Sequence, residues 1–422
     1  MKAVTFMMIA GEASGDMLAA ELIQALRQEL TDAEAAPTND FQPLHGSFDP
    51  RFFGAGGPRM AAAGVDLAFD LTQHSIIGLS DVFKNYFKFR RLMHRLLDLA
   101  IERQPDAIIC VDFSGFNRRL AHAIKNYVRL HSGWFHDWNP KIIQYVSPQV
   151  WASREGRVYQ IARDYDLLLS TFPFEKAWYA KRVPRLRVEF VGNPIVDRYS
   201  TIRTRSASTF SHRGESSPNV LLLPGSRSNE LNRHLPIMLG ALVLMRATLP
   251  NLRAQMVLSS ASLVEQARAL GVPDNVSVKT GDLAEALSAA DLAIAATGTV
   301  TMECAYFGLP TVAIYKVSWS NFQVAKRIIK VKYAAMPNLL ANEEIFPEFL
   351  QYAATPGNIA QAALVFLRDE SRRNKVRARL REVVASLGGP GASARAARAI
   401  LALLEFKKSD PRQVLAEGQL QA

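Results

Sequence analysis

The chain has little cysteine. Two in 422 residues, Cys110 and Cys304, are too few and too far apart for a disulfide framework or a thiolate metal site. A reducing compartment is expected. No stretch is long and apolar enough to span a bilayer. The opening "KAVTFMMIAG" is too short for a span and lacks a signal-peptide cleavage pattern. A cytoplasmic protein is therefore expected. The eight histidines show no ligand spacing, and His131 and His136, which flank a Trp-rich loop, read as surface residues. Acidic residues are the minority, 39 against 50 Lys and Arg, a net charge of +11. That balance suits a phosphorylated substrate or an anionic membrane. Without a zinc-finger or RNP-like pattern, no nucleic acid partner is expected.

What the chain does have is alternation. Apolar, β-branched runs at 3–10, 107–113, 142–147, 166–171, 188–192, 219–225, 254–260, 291–297 and 311–316 are separated by helix-period segments. The pattern predicts an α/β protein with parallel sheets covered on both faces. A polar, strand-free stretch at 200–219 reads as a linker. It gives an N-terminal domain over 1–200 and a C-terminal domain over 201–387. The breaker "GGPG" then starts a last helix and a frayed tail within 388–422. Residues 31–50 hold three prolines and read as a surface insertion.

Three strand–loop–helix junctions invite a ligand. "MMIAGEASGD" (7–16) has the layout of a phosphate loop but carries Glu12 and Asp16 and no base. Its acidity argues against a diphosphate and for sugar hydroxyls. Gly11 and Gly15 allow close approach, and Ser14 can cap the helix or touch a hydroxyl. "LLLPGSRSNEL" (221–231) presents Gly225, Ser226 and Arg227 at a helix start, where N–H groups and a guanidinium favour an anion. "DLAIAATGTVTMECAYFGLP" (291–310) presents Gly298 and Thr299 at another helix start, then Glu303, whose carboxylate suits two vicinal hydroxyls. A surface arginine, and a glutamate that merely complements a helix dipole, are the plain alternatives. Together these elements describe a nucleotide-diphosphate-sugar site.

These junctions, with "GAGGPRM" (54–60), "VSPQVWAS" (146–153), "FPFEKAWY" (172–179), "VGNPIVD" (191–197) and "MPNLLA" (336–341), resemble the lipid-A-disaccharide synthase family in motif and order. The resemblance implies a GT-B-like architecture, two doubly wound, Rossmann-like parallel-sheet domains facing an interdomain cleft. It implies transfer of 2,3-diacylglucosamine from UDP-2,3-diacylglucosamine to 2,3-diacylglucosamine 1-phosphate (lipid X), with inversion and without cofactor or metal. "GEASGD" then falls on the acceptor side of the cleft. Asp112, at the end of "AIICVD", matches the family's catalytic base; a helix-capping aspartate is the alternative. Gln149, Asn193 and Asn338 carry over as substrate-site residues. The last helix crosses back to the N-terminal domain or exchanges with a second chain, giving a homodimer.

The chain departs from the family pattern at Gly115 (an aspartate there), Asn193 (a histidine) and Ser153 (a tryptophan). Asn193 cannot titrate near neutral pH, so the base is assigned to Asp112 and Asn193 positions. The departures keep a non-catalytic UDP-sugar- or lipid-binding relative open. A UDP-N-acetylglucosamine epimerase and a MurG-like transferase are the other rivals. Asp164-Tyr-Asp166 matches a DxD metal signature by letter but precedes a strand, so it reads as a loop. Both substrates carry acyl chains, which implies a peripheral place on the anionic inner-membrane surface. In "DVFKNYFKFRRLMHRLL" (81–97) Val82, Tyr86, Phe89, Met93 and Leu96 form a core stripe. Lys84, Lys88, Arg91 and Arg95 form a basic stripe, with Phe83 and Phe87 between them. That suits an interfacial helix, or equally an ordinary amphipathic helix with a solvated basic face.

Overall fold

The computed structural model describes residues 4–35, 50–74, 86–133, 136–206 and 217–405. The chain forms two compact units. The first comprises 1–194 and 390–422, and the second comprises 195–389.

The first unit is built on a seven-stranded sheet of order β3-β2-β1-β4-β5-β6-β7. Its strands are β1 (Thr5–Ala10), β2 (Arg51–Gly56), β3 (Asp66–Asp70), β4 (Ala107–Val111), β5 (Lys141–Tyr145), β6 (Leu167–Ser170) and β7 (Arg187–Phe190). The second unit has a six-stranded sheet of order β10-β9-β8-β11-β12-β13. Its strands are β8 (Asn219–Leu223), β9 (Arg253–Leu258), β10 (Val276–Thr280), β11 (Leu292–Ala296), β12 (Thr311–Tyr315) and β13 (Glu348–Leu350). Every strand pair is parallel. Central strands such as "AIICV" and "LAIAA" are buried at every residue, because helices cover both faces.

Strand order reverses once in each sheet. In the first unit the chain winds from β1 to β2 and β3, then returns to lay β4 on the other side of β1. In the second it winds from β8 to β9 and β10, then lays β11 beside β8. The loops leaving the two strands at a reversal diverge, and a crevice opens between them at the carboxyl edge. The loops at 11–16 and 112–113 flank the first reversal. Those at 224–227 and 297–299 flank the second.

Four strands fall outside the apolar runs. β3, β10 and β13 are sheet edges, where one side faces solvent and polar residues alternate in; β13 has three residues. β2 hides behind two glycines. Gly54 has φ +148°, and a Cβ there would fall 2.0 Å from the Met8 carbonyl oxygen, where the β2–β3 register shifts. The helix Pro194–Ser206 runs into the stretch read as a linker, because its first two turns bury Ile195, Val196 and Tyr199. Most of the 31–50 insertion lies outside the described residues.

The helix Ala392–Glu405 packs on Ala13–Ala35 and puts Ala396, Ala397, Ile400 and Leu403 into one cluster with Phe6, Met8 and Leu22. Arg395 Nε donates to the Val191 carbonyl at 2.7 Å, and Arg398 pairs with Glu29 at 2.8 Å. Among the described residues, no helix is long and apolar enough to cross a membrane. Ile400→Ala empties a fully buried site and is expected to cost about 2–4 kcal/mol. A urea-unfolding midpoint unchanged from wild type would refute this placement of the last helix.

Candidate functional site

At the first reversal, two left-handed residues in succession follow β4: Asp112 (φ 48°) and Phe113 (φ 43°). Val146, just past β5, has φ 66°. Non-glycine residues, and a β-branched one above all, hold such angles only where the surroundings impose them. Those surroundings are two buried amides. The carbonyl of Asp112 accepts from Asn117 Nδ2 at 2.8 Å and Gln144 Nε2 at 3.0 Å, and its N–H donates to Tyr145 O at 2.9 Å. The same Gln144 nitrogen reaches the Tyr145 and Val146 carbonyls. The backbone beneath the Asp112 side chain is thus clamped.

The "GEASGD" loop lies against this turn. A Cβ on Gly11 would meet the Phe113 ring at 2.2 Å, and one on Gly15 would sit 3.6 Å from Asp112 Cβ. Close approach is needed here for the protein's own Asp112–Phe113 turn. Asp16 is buried, and its carboxylate accepts from the N–H groups of Gly57 (2.7 Å), Arg59 (2.9 Å) and Met60 (3.1 Å). It caps the helix Pro58–Ala62 and joins two of the motifs. The Asp16 charge is therefore absorbed by the fold and does not read a ligand. Ser14 is the second residue of the helix Ala13–Ala35 and is exposed.

Gln149 is exposed at the start of the 3-10 turn Val150–Ala152. Below it, Trp151 Nε1 donates to Glu175 Oε1 at 2.9 Å, while the Ser147 hydroxyl donates to the Tyr179 hydroxyl, which donates in turn to the Pro148 carbonyl. Glu175 is fully buried, and burial pushes its carboxyl up to about 7. It locks "VSPQVWAS" to "FPFEKAWY". The sequence signal was one acid on an otherwise apolar helix face. Asn193 precedes the helix Pro194–Ser206 and follows Gly192 (φ 87°). Gly115 is exposed, and a Cβ added there would meet only open space. Asp164 ends a helix and pairs with His122 and Arg163, while Asp166 pairs with Lys125 at 2.8 Å and accepts from Ile142 N.

At the second reversal, Gly225 has φ +125° and Arg227 caps the helix Ser228–Thr248. Glu230 folds back into this loop. Its Oε2 accepts from Ser226 N at 3.1 Å, and its Oε1 lies 3.3 Å from Arg227 Nη1. An anion of the protein's own sits among the donors that the loop offers. His234, also missed from sequence, is fully buried. Its Nδ1 donates to Pro224 O at 2.7 Å, and its Nε2 accepts from Lys316 N at 3.0 Å, which fixes the neutral tautomer. Burial lowers its pKa.

Gly298 (φ +153°) and Thr299 are exposed at the start of the helix Thr299–Tyr306. Glu303 is 9% exposed; Tyr199 Oη donates to its Oε1 at 3.2 Å, and Arg198 Nη1 is 3.7 Å from the same oxygen. Burial raises its pKa, with Arg198 and Tyr199 opposing. Asn338 is fully buried, and its amide makes four bonds to Phe346 O, Glu348, Ile345 N and Phe346 N. Those bonds shape the 345–348 loop, and any influence of Asn338 on a ligand passes through it.

Of the basic helix, Phe83 and Lys84 lie outside the described residues. On Tyr86–Arg103, Phe87 is 77% exposed, Lys88 and Arg91 are exposed, and Leu96 is buried. Arg95 is exposed as well, and its guanidinium donates to Ala68 O at 3.0 Å and covers the Phe69 ring. A second surface of this kind went unread. The helix Trp319–Ile328 buries no residue; Trp319 is 67% and Ile329 is 50% exposed. Between Glu303 and Glu343 the sequence has no acid but has Lys316, Lys326, Arg327, Lys330 and Lys332.

The model of one family, lipid-A-disaccharide synthetase, matches residues 6–402. The chain belongs to the lipid-A-disaccharide synthetase family. The synthase of Trichlorobacter lovleyi is 34% identical over 94% of this chain and 97% of its own length. That of Myxococcus xanthus is also 34% identical, over 94% and 97%. Solved structures with the same two-unit GT-B fold include S. aureus MnaA with UDP (TM-score 0.59, 13% identity, 95% and 97% covered). The Neisseria meningitidis UDP-GlcNAc 2-epimerase bound to UDP-GlcNAc (0.56, 13%, 95% and 100%) and Acinetobacter baumannii MurG (0.52, 14%, 95% and 100%) also match. At such identities the likeness is one of fold. Family membership separates this chain from those epimerases and from MurG.

The Glu175 geometry has a pH consequence. An unfolded carboxyl titrates near 4.5 and the buried one at about 7. Between these values the folded state holds a proton that the unfolded state releases, so stability falls as pH rises through the window. Glu175→Gln is expected to flatten this slope and to gain up to about 3 kcal/mol over wild type at pH 8 relative to pH 4. Urea unfolding at the two pH values checks it; parallel slopes for variant and wild type would refute it.

Proposed function

We propose that this protein transfers 2,3-diacylglucosamine from UDP-2,3-diacylglucosamine to lipid X, releasing UDP and a β-1′,6-linked disaccharide 1-phosphate. Family membership across 6–402 carries this reading. Asp112 is the base, on its clamped turn at the first reversal. It takes the proton of the acceptor's 6-hydroxyl as that oxygen attacks C1 from the face opposite the diphosphate. The C1–O bond breaks, its electron pair goes to the leaving phosphate oxygen, and C1 inverts. Ser226, Arg227 and the helix start at Gly298–Thr299 receive the diphosphate, displacing the Glu230 carboxylate; Glu303 reads the ribose diol. Ser14, Gly15, Gln149 and Asn193 border the acceptor.

The assay combines UDP-2,3-diacylglucosamine and lipid X in detergent and measures disaccharide phosphate and UDP. Asp112→Asn is expected to lower kcat about a hundred- to ten-thousandfold with substrate binding kept. Donor bound without product by the wild type would support a non-catalytic relative. A near-normal rate for Asp112→Asn would move the base elsewhere.

The acylated substrates place the enzyme at an anionic membrane surface. Phe87 with Lys88 and Arg91, and Trp319 and Ile329 with Lys326, Arg327 and Lys330, join exposed apolar groups to cations as interfacial helices do. Phe87→Ser combined with Trp319→Ser is expected to release the protein from phosphatidylglycerol-containing vesicles. Sedimentation with those vesicles undiminished would remove both helices from the membrane face.

A further inference from the structure

Four arginines lie in the first unit on the two segments that follow β4 and β5, and the bond from Arg118 to Gln160 holds those segments against each other. Arg118 and Arg119 stand in the first turns of the helix Ser114–His131, just after Asp112. Arg154 precedes the 3-10 turn Glu155–Arg157 and Arg157 ends it, just after Gln149 and Trp151. Like charges in close company are unfavourable unless something answers them.

Among the described residues, the protein's own acids answer them only in part: Asp164 acts on Arg118 from a distance. Glu155, on the same turn, pairs with Arg182, and Asp164 is held by Arg163 and His122. Arg118 bonds the neutral amide of Gln160, and Arg119 bonds the Gly115 carbonyl at 3.1 Å. Among the described residues, neither Arg154 nor Arg157 has a side-chain hydrogen bond or ion pair. Arg157 is pushed down to about 10 by burial and then by Arg118, Arg154 and Arg119, and no carboxylate among the described residues acts on it. Arg118 is lowered by burial, Arg119 and Arg154, with Tyr165 and Asp164 opposing. An anion placed among these guanidiniums would offset their mutual repulsion and use donors that no side chain of the described residues takes at Arg154 and Arg157.

We propose that Arg118, Arg119, Arg154 and Arg157 form a phosphate-monoester site, and that it holds the 1-phosphate of the acceptor sugar. A phosphate monoester brings up to two negative charges and three acceptor oxygens, and guanidinium forks match them bidentately. The segments that carry the arginines also carry Asp112 and Gln149, so one sugar would span base and cluster. The proposal rests on the transferase reading. It adds how an acceptor bearing a 1-phosphate is told from one without it.

The test compares lipid X with 2,3-diacylglucosamine lacking the phosphate, both in detergent. For Arg157→Gln we expect KM for lipid X to rise about tenfold with kcat little changed. KM for the unphosphorylated acceptor should stay as in wild type. Arg157→Lys, which keeps the charge and loses the fork, should recover part of the loss. Equal losses on both acceptors would mark a structural role and overturn the site. Unchanged lipid X kinetics in an Arg154→Gln/Arg157→Gln variant would overturn it too. If that variant loses phosphatidylglycerol-vesicle binding while discriminating acceptors as wild type does, the phosphate is a phospholipid headgroup and the acceptor assignment falls. Lipid X binding without donor is measured in parallel by calorimetry. Wild type that binds lipid X, through Arg157, but never turns over would sink the transferase reading and uphold the phosphate site.

Discussion

A parallel sheet covered on both faces uses up nearly all its backbone hydrogen-bonding groups in its own ladder. Free N–H groups and divergent loops remain at the carboxyl edge, and most of all where strand order reverses. Each unit of this protein has one such place, between β1 and β4 and between β8 and β11. The segments that carry the candidate chemistry leave those strands or their neighbours. The rest of the structure can be seen as support for these edges: Gln144 and Asn117 under one turn, His234 under another, Asp16 tying two loops together.

The support is polar and buried, and it is costly to disturb. Asp16 brings a carboxylate into the interior, and three N–H donors answer it. Glu175 is buried with one carboxyl oxygen lacking a hydrogen-bond partner and meets burial by holding its proton to a higher pH. Glu230 shows a third case, a carboxylate at the surface of a loop whose donors are shaped for an anion.

The alternation of strands and helices was readable in the sequence because buried central strands are continuous apolar runs. The edge strands β3, β10 and β13 were not, since one side of each faces solvent and polar residues such as those of "VSVKT" interrupt the run. "GEASGD" was recognisable as a ligand-edge loop, yet the purpose of Asp16 was not, because its donors lie about forty residues away at Gly57 and Met60. That Arg95 also covers the Phe69 ring was not readable, because the two lie on separate elements. The arginine cluster is scattered over two segments, and no local pattern marks it. Local period and composition survive in sequence; pairings made by distant crossovers do not.

The closing helix Ala392–Glu405 bears on how the protein is made. The second unit is one unbroken stretch of chain, 195–389, so all of its own residues are available before the first unit is complete. The first unit begins to appear earlier but keeps part of its apolar surface uncovered, because Ala396, Ala397, Ile400 and Leu403 follow the second unit in the chain. The half of the molecule that starts first is therefore the half that finishes last. In the interval it exposes Met8, Leu22 and Leu26 to whatever else is apolar nearby.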